Sequence, residues 1–312
     1  MKKALIASTA LVLSAGVAAA DVTVSGYGRT GIIYYEDNAG LPGNDTQVIS
    51  RLRMNLDATT STDAGVDFGG RVRLQWDQNN ATRGEQATLN AGKLFVTASG
   101  LTVEVGNVDT AFDGAGLLYA EELGSYDRSV GVRRGSFFSY NTGPNPSATY
   151  QGLAVRYSIE GLTARLSYVD PDQTGLVADD EELSLSVDYT WNDALELSGA
   201  YVTNGAGIDG NDAFFLGARY AVAENARVGL NYLDSDLDAA GRTVWLYGDY
   251  TLADGATNFE AYIANNNSDL NETDNAFGIG VNYDLGGARL GASIHRDNAE
   301  RVTADAGVRF NF

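Results

Sequence analysis

The 312-residue chain contains no cysteine, one histidine and four prolines. Without thiols there is no disulfide framework, thiolate metal site or cysteine nucleophile. With His295 as the only histidine, clustered-histidine metal sites are excluded, and any Ser-His-Asp arrangement must be built on that residue. Basic residues are scarce as well: 21 Lys and Arg stand against 41 Asp and Glu, a formal charge of -20. Nucleic-acid binders need clustered cations to meet phosphates, so that class is set aside. Past residue 20 no apolar run approaches the ~18 residues of a membrane-crossing helix, and the mean hydropathy is only -0.17. Such a chain can cross a bilayer only as a closed sheet, which pairs its backbone polar groups internally.

Residues 1–20 hold two lysines, an apolar run interrupted by Ser8, Thr9 and Ser14, and Ala18-Ala19-Ala20 ahead of Asp21. This pattern predicts an export signal cleaved between Ala20 and Asp21. Loss of Lys2 and Lys3 would change the charge from -20 to -22 (-20 minus 2). The rest, residues 21–312, is expected to form one domain.

Alternation dominates that domain. Val22, Val24, Ile32 and Tyr34 share one parity, against Thr23, Ser25, Tyr27 and Arg29; Val48, Leu52, Met54 and Leu56 alternate with Arg51, Arg53, Asn55 and Asp57. Val66, Phe68, Val72, Leu74 and Trp76 alternate with Asp67, Arg71, Arg73, Gln75 and Asp77. Period two marks strands with two different faces. A soluble sandwich would show the same alternation, but the connections are sorted in a way that a sandwich does not require. Tight turns near 63, 99, 160, 192, 224, 254 and 286 alternate with longer polar segments near 36–45, 77–90, 108–147, 170–181, 204–212, 235–241, 266–274 and 297–301. Short turns at one rim and long loops at the other are the layout of an outer-membrane barrel. Tyr157, Tyr168, Tyr189, Tyr201, Tyr220, Tyr232, Tyr250 and Tyr283 fall near strand ends on the apolar parity, where amphipathic rings suit the lipid–water boundary.

The expected fold is all-β: a transmembrane antiparallel barrel of about 16 strands. Residues 108–147 are too long for an ordinary loop and carry acids, aromatics and a helix-like core at Leu117–Leu123. They are expected to fold into the lumen and narrow it. A passive, water-filled channel for ions and small hydrophilic solutes follows.

In the last strand Val302, Ala304, Ala306, Val308, Phe310 and Phe312 alternate with Thr303, Asp305, Arg309 and Asn311. With the signal-like segment, a first strand VTVSGYGR and a long loop after Val103-Glu104-Val105-Gly106-Asn107, this resembles the general bacterial porins, in particular the alphaproteobacterial kind. The resemblance implies a 16-stranded barrel with an inward third loop, usually a homotrimer, exported to the cell outer membrane. It also implies an assembly signal at Phe310 and Phe312, and lipid, lipopolysaccharide and small solutes as partners.

Arg29, Arg51, Arg53, Arg71 and Arg73 share the polar parity of the first three strands and would line one wall of a lumen. The long loop offers Asp109, Asp113, Glu121, Glu122 and Asp127 as an acidic counterpart. Facing each other, the two sets would form a constriction with a transverse field. The competing expectation is that Asp57, Asp67 and Asp77 on the same face neutralise the arginines. The acidic composition predicts a modest cation preference.

Other signals are weaker. Gly26, Gly28 and Gly31 match a dinucleotide fingerprint but lie within one alternating strand, with no helix to follow. Asp234, Asp236 and Asp238 begin like a calcium loop, yet Ala239 and Trp245 occupy the positions that need Gly and Glu. No cofactor or metal is expected, with loose divalent-cation binding among surface acids left open. Two alternatives stand beside the channel: a barrel hydrolase using Ser293 and His295 with Asp297 nearby, and a non-conducting binding or adhesion barrel whose long loop lies outside.

Overall fold

The computed structural model describes residues 20–37, 43–78, 87–145, 147–176 and 180–312. Residues 1–19, which hold nearly all of the expected signal segment, lie outside the described residues. Among the described residues the strands are β1 (Asp21–Tyr35), β2 (Thr46–Ser61), β3 (Asp67–Gln78), β4 (Thr88–Leu89), β5 (Lys93–Ala98), β6 (Leu101–Gly106), β7 (Gln151–Ile159), β8 (Leu162–Asp170) and β9 (Glu182–Trp191). They continue with β10 (Leu195–Thr203), β11 (Ala213–Ala223), β12 (Ala226–Ser235), β13 (Arg242–Thr251), β14 (Thr257–Asn266), β15 (Asn275–Asp284), β16 (Ala288–Arg296) and β17 (Val302–Asn311). No helix among the described residues is long and apolar enough to cross a membrane.

Apart from β4 and β5, each strand pairs antiparallel with its neighbours in sequence, and β17 returns to β1 over nine residue pairs from Tyr27↔Asn311 to Tyr35↔Thr303. Closure removes the free edge that an open sheet would expose to lipid. Gly26 and Phe312 exchange backbone bonds of 2.8 and 3.0 Å at this seam, and the Phe310 ring covers Gly28 from the neighbouring strand. β4 and β5 both pair with β3 and make one stave, so the barrel has 16 staves. From Leu89 to Leu94 the chain advances five residues while its partner advances four, from Leu74 to Gly70. The extra residue is a bulge, stitched by Asn90, whose N–H reaches the Arg73 carbonyl at 2.9 Å and whose Oδ1 accepts from the Arg73 N–H at 2.6 Å.

The apolar parity faces outward. Leu183, Leu185 and Val187 in β9, Leu216 in β11, Leu246 in β13 and Ile279 in β15 are all exposed, as a lipid-facing surface requires. Tyr157, Tyr189, Tyr220, Tyr250 and Tyr283 mark the short-turn rim, and Tyr168, Tyr201 and Tyr232 the long-loop rim. The principal core lies inside the barrel, between the Gly106–Gln151 connection and the wall. Phe112, Leu117, Leu118, Leu123 and Val132 of the connection pack on Val202, Phe215, Leu233, Trp245, Tyr247 and Tyr262 of β10–β14.

The helix-like core expected at Leu117–Leu123 is instead a chain of turns. N–H groups of Ala115, Leu118, Ala120 and Glu122 each bond the carbonyl three residues back, at 3.1–3.3 Å. Carbonyls that a helix would use are taken elsewhere: Leu117 O by Asn231 Nδ2 at 2.7 Å, and Leu118 O by Arg134 Nε at 2.9 Å. Side-chain donors of this kind offer the backbone an alternative to the helical ladder.

Candidate functional site

The long connection crosses the bore because the wall from β8 to β16 presents groups that bind its backbone. Ser167 and Ser184 accept from the N–H groups of Ala111 and Phe112 at 2.8 and 3.2 Å, and Asp188 accepts from Gly116 N–H at 2.8 Å. Tyr262 OH lies 2.9 Å from Val130 N and 2.8 Å from Val130 O. The wall also makes room. A Cβ on Gly291 would come within 2.5 Å of Ser125 N, and one on Gly278 within 2.6 Å of Tyr262 and 3.0 Å of Leu123. A side chain at these positions would lift the loop off its bed.

Glu121 anchors this docking and does not face the bore. It is 1% exposed, accepts from Trp245 Nε1 at 2.9 Å and from Ser129 Oγ at 3.0 Å, and pairs with Arg134 of the same loop. Its expected place among the lumenal acids is therefore corrected. An acid on the loop is as available to the wall beneath as to the water above, and the indole N–H supplies the donor.

β1, β2 and β3 meet the loop at fewer points, chiefly where Tyr126 packs on Ile33 and Ile49, and their arginines project from half-buried positions into the remaining gap. Arg51 pairs with Asp77 at 2.5 Å and Arg71 with Asp57 at 2.6 Å, the neutralisation that the competing expectation described. Asp67 bonds Ser61 Oγ at 2.5 Å and pairs with no arginine among the described residues. Arg29, Arg53 and Arg73 meet neutral oxygens: Tyr126 O at 2.5 Å, Gln75 Oε1 at 2.5 Å and Asn55 Oδ1 at 2.8 Å.

On the loop side, Asp109 takes Lys93 Nζ at 2.5 Å and so belongs to a lysine that also holds both Glu104 oxygens at 2.8 Å. Asp113 accepts from Tyr119 OH at 2.7 Å; burial raises its carboxyl pKa, with Arg73 and Arg134 opposing. Glu122 lies 3.7 Å from Arg134. Burial pushes its carboxyl up to about 7, against the pull of Arg134, Arg29 and Arg309. Asp127, where the loop lies on β16 and β17, pairs with Arg289 at 2.5 Å and with Arg309. The structure thus brings Asp113, Glu122 and Asp127 toward the basic wall, ties Asp109 to Lys93 and buries Glu121.

A model of the Gram-negative porin family matches residues 7–302. The chain belongs to that family. It is 43% identical over 299 residues to a porin of Fuscovulum blasticum, covering 94% of this chain and all of that relative. It is 27% identical over 330 residues to a porin of Rhodobacter capsulatus, again covering 94% of this chain and all of the other. Among solved structures, a triple mutant of the Rhodopseudomonas blastica porin superposes with a TM-score of 0.85 at 41% identity, over 93% of this chain and 100% of that one.

Four wall residues of this porin barrel were absent from the expected constellation. Arg309 lies on the wet parity of β17, and closure of the circle brings it beside β1. Arg289 was equally readable from the parity of β16. Lys93 was hidden by the bulge at 90–92. Tyr27 has Arg309, Arg53 and Arg29 over its ring at 4.1, 5.3 and 5.9 Å, and its OH accepts from Arg51 Nη1 at 3.2 Å.

The hydrolase alternative meets its geometry here. Ser293 Oγ lies 2.8 Å from His295 Nε2, but Ser293 also bonds Asp305, while His295 Nδ1 meets Tyr262 OH at 3.0 Å. A triad needs the acid on the imidazole and an open serine. Here the acid holds the serine, both residues are buried under the loop, and Asp297 pairs with Arg301. The adhesion alternative required the long loop outside the barrel, whereas it packs within. Among the described residues no cluster of three or more His, Asp or Glu is placed to hold a metal ion.

Proposed function

We propose that this chain is a general diffusion porin of the outer membrane, a non-enzymatic channel passing ions and small hydrophilic solutes down their gradients. The observation that carries this reading is the lumen itself: a polar wall on β1–β3 faces a loop docked on the opposite wall. Residues 21–312 would be the mature barrel after export and removal of 1–20. Homotrimeric assembly with lipid and lipopolysaccharide around it follows the family, and Phe310 and Phe312, at the seam, would be its assembly signal.

The constriction is formed by Arg29, Arg51, Arg53, Arg71 and Arg73 on one side and by Asp113 and Glu122 on the other, with the Arg309–Asp127 pair at its margin. Opposite charges across a narrow gap orient dipolar solutes and disfavour apolar ones. A modest cation preference follows from the acidic chain, whose field concentrates counter-ions at the mouths. Planar-bilayer recording with a polymer-exclusion series tests the reading: discrete steps with a sharp size limit are expected, and a purified, folded barrel that opens no channel would overturn it.

A further inference from the structure

Not all of the wall arginines are in the same electrostatic state. Arg51, Arg71 and Arg309 each have a carboxylate partner, in Asp77, Asp57 and Asp127. Arg29, Arg53 and Arg73 have none among the described residues; their near oxygens belong to a carbonyl, amides and the Thr142 hydroxyl, which leave the charge uncancelled. We propose that these three guanidiniums form a subsite for small oxyanions, solutes bearing phosphate or paired carboxylate groups, inside the eyelet.

Sheet register places them together. Arg29 stands opposite Arg51, and Arg53 is the next inward residue along β2. Arg53 stands opposite Gln75, and Arg73 is the next inward residue along β3. The three thus form a diagonal across adjacent strands, with steps of about 7–8 Å between backbones, a span that long side chains can close around one solute. Each is seated over an aromatic ring: Arg29 over Tyr126 at 5.1 Å, Arg53 over Tyr27 at 5.3 Å and Arg73 over Tyr140 at 4.4 Å. A guanidinium placed over a ring uses its face there, and the N–H groups not given to Tyr126, Gln75, Asn55 and Thr142 remain for an oxyanion, which a guanidinium can grip with paired bonds.

The loop acids do not occupy those N–H groups. Asp113 is engaged by Tyr119, and Glu122 sits beside Arg134. They form the far side of the gap, attractive to the cationic or hydroxyl end of a solute whose anionic end rests on the wall. A local oxyanion site is compatible with a cation preference for simple salts, because the chain's charge acts at the mouths while the diagonal acts only within the eyelet.

This inference rests on the channel reading, and one experiment separates the two. Single channels are recorded in potassium chloride at fixed ionic strength while inorganic phosphate or succinate is added on one side. The expected result is a saturable, reversible reduction of current. Arg53→Gln should raise the half-blocking concentration roughly tenfold, the worth of one charge-assisted grip. Arg29→Gln should act in the same direction, Arg53→Lys, which keeps the charge but loses the two-bond grip, should weaken the block less than Arg53→Gln, and Arg227→Gln, in a pair with Asp249 away from the diagonal, should not change it. Channels that conduct but show no block, or equal shifts in Arg53→Gln and Arg227→Gln, would sink the subsite and leave the porin reading standing. Absence of conductance in the parent protein would sink both.

Discussion

Replacement of Trp245 by alanine tests whether the eyelet is held by packing beneath the loop. The indole is fully buried between the wall and the loop, stacked on Phe215 at 5.9 Å, and donates to buried Glu121. A buried tryptophan withdraws ~150–250 Å² from water; taking half of that as covered by the loop, at about 25 cal/mol/Å², gives roughly 2–3 kcal/mol of docking energy. Loss of a donor to a buried carboxylate adds about 1–3 kcal/mol. Together, about 3–6 kcal/mol, they should raise the undocked fraction of the loop by roughly 100-fold or more. The barrel should still close, because its ladder pairs do not involve the indole. Single-channel records of Trp245→Ala should show noisy open states and a raised polymer-exclusion limit, while Trp191→Ala, exposed at the lipid boundary, should show neither. A folded Trp245→Ala channel with parental noise and size limit would refute the docking argument.

Glu122 supplies a pH dependence. Its carboxyl titrates near 7 because burial disfavours the charged form, so lowering the pH from 8 to 6 removes a negative charge from the gap; the reversal potential in a salt gradient should shift toward anions, and Glu122→Gln should abolish most of that slope. Asp113→Asn should shift the reversal potential toward anions at constant pH, an expectation undone if the two potentials coincide. Glu121→Gln should behave differently: it leaves Arg134 beside an amide with Glu122 at 3.7 Å as its remaining carboxylate, a loss of about 1–3 kcal/mol, so loop noise rather than selectivity should change. Gly291→Val would force Ser125 off the wall, and broadened conductance levels are expected, with unaltered levels counting against the glycine bed.

Sequence periodicity was enough to read the barrel, because each strand separates lipid from water at every second residue. The turns near 63, 99, 160, 192, 224, 254 and 286 all fall between the observed strands. The basic wall was legible for the same reason: parity places Arg29, Arg51, Arg53, Arg71 and Arg73 on one face. What alternation could not supply was depth and partnership. Glu121 and Glu122 are adjacent, yet one is sealed against Trp245 and the other faces the arginines, a difference set by tertiary packing. A readable signal for the dock was present in Phe215, Leu233 and Trp245, large apolar residues on the wet parity. Such side chains in a water-filled bore need a cover, and the loop provides it.

The glycine bed under the loop has a consequence for how such a channel can be altered. The width available to a solute is set by how closely the inserted segment lies against β15 and β16, so one methyl group at residue 278 or 291 could retune the sieve while all sixteen staves keep their places. Circumference and calibre are thus separate properties of this molecule.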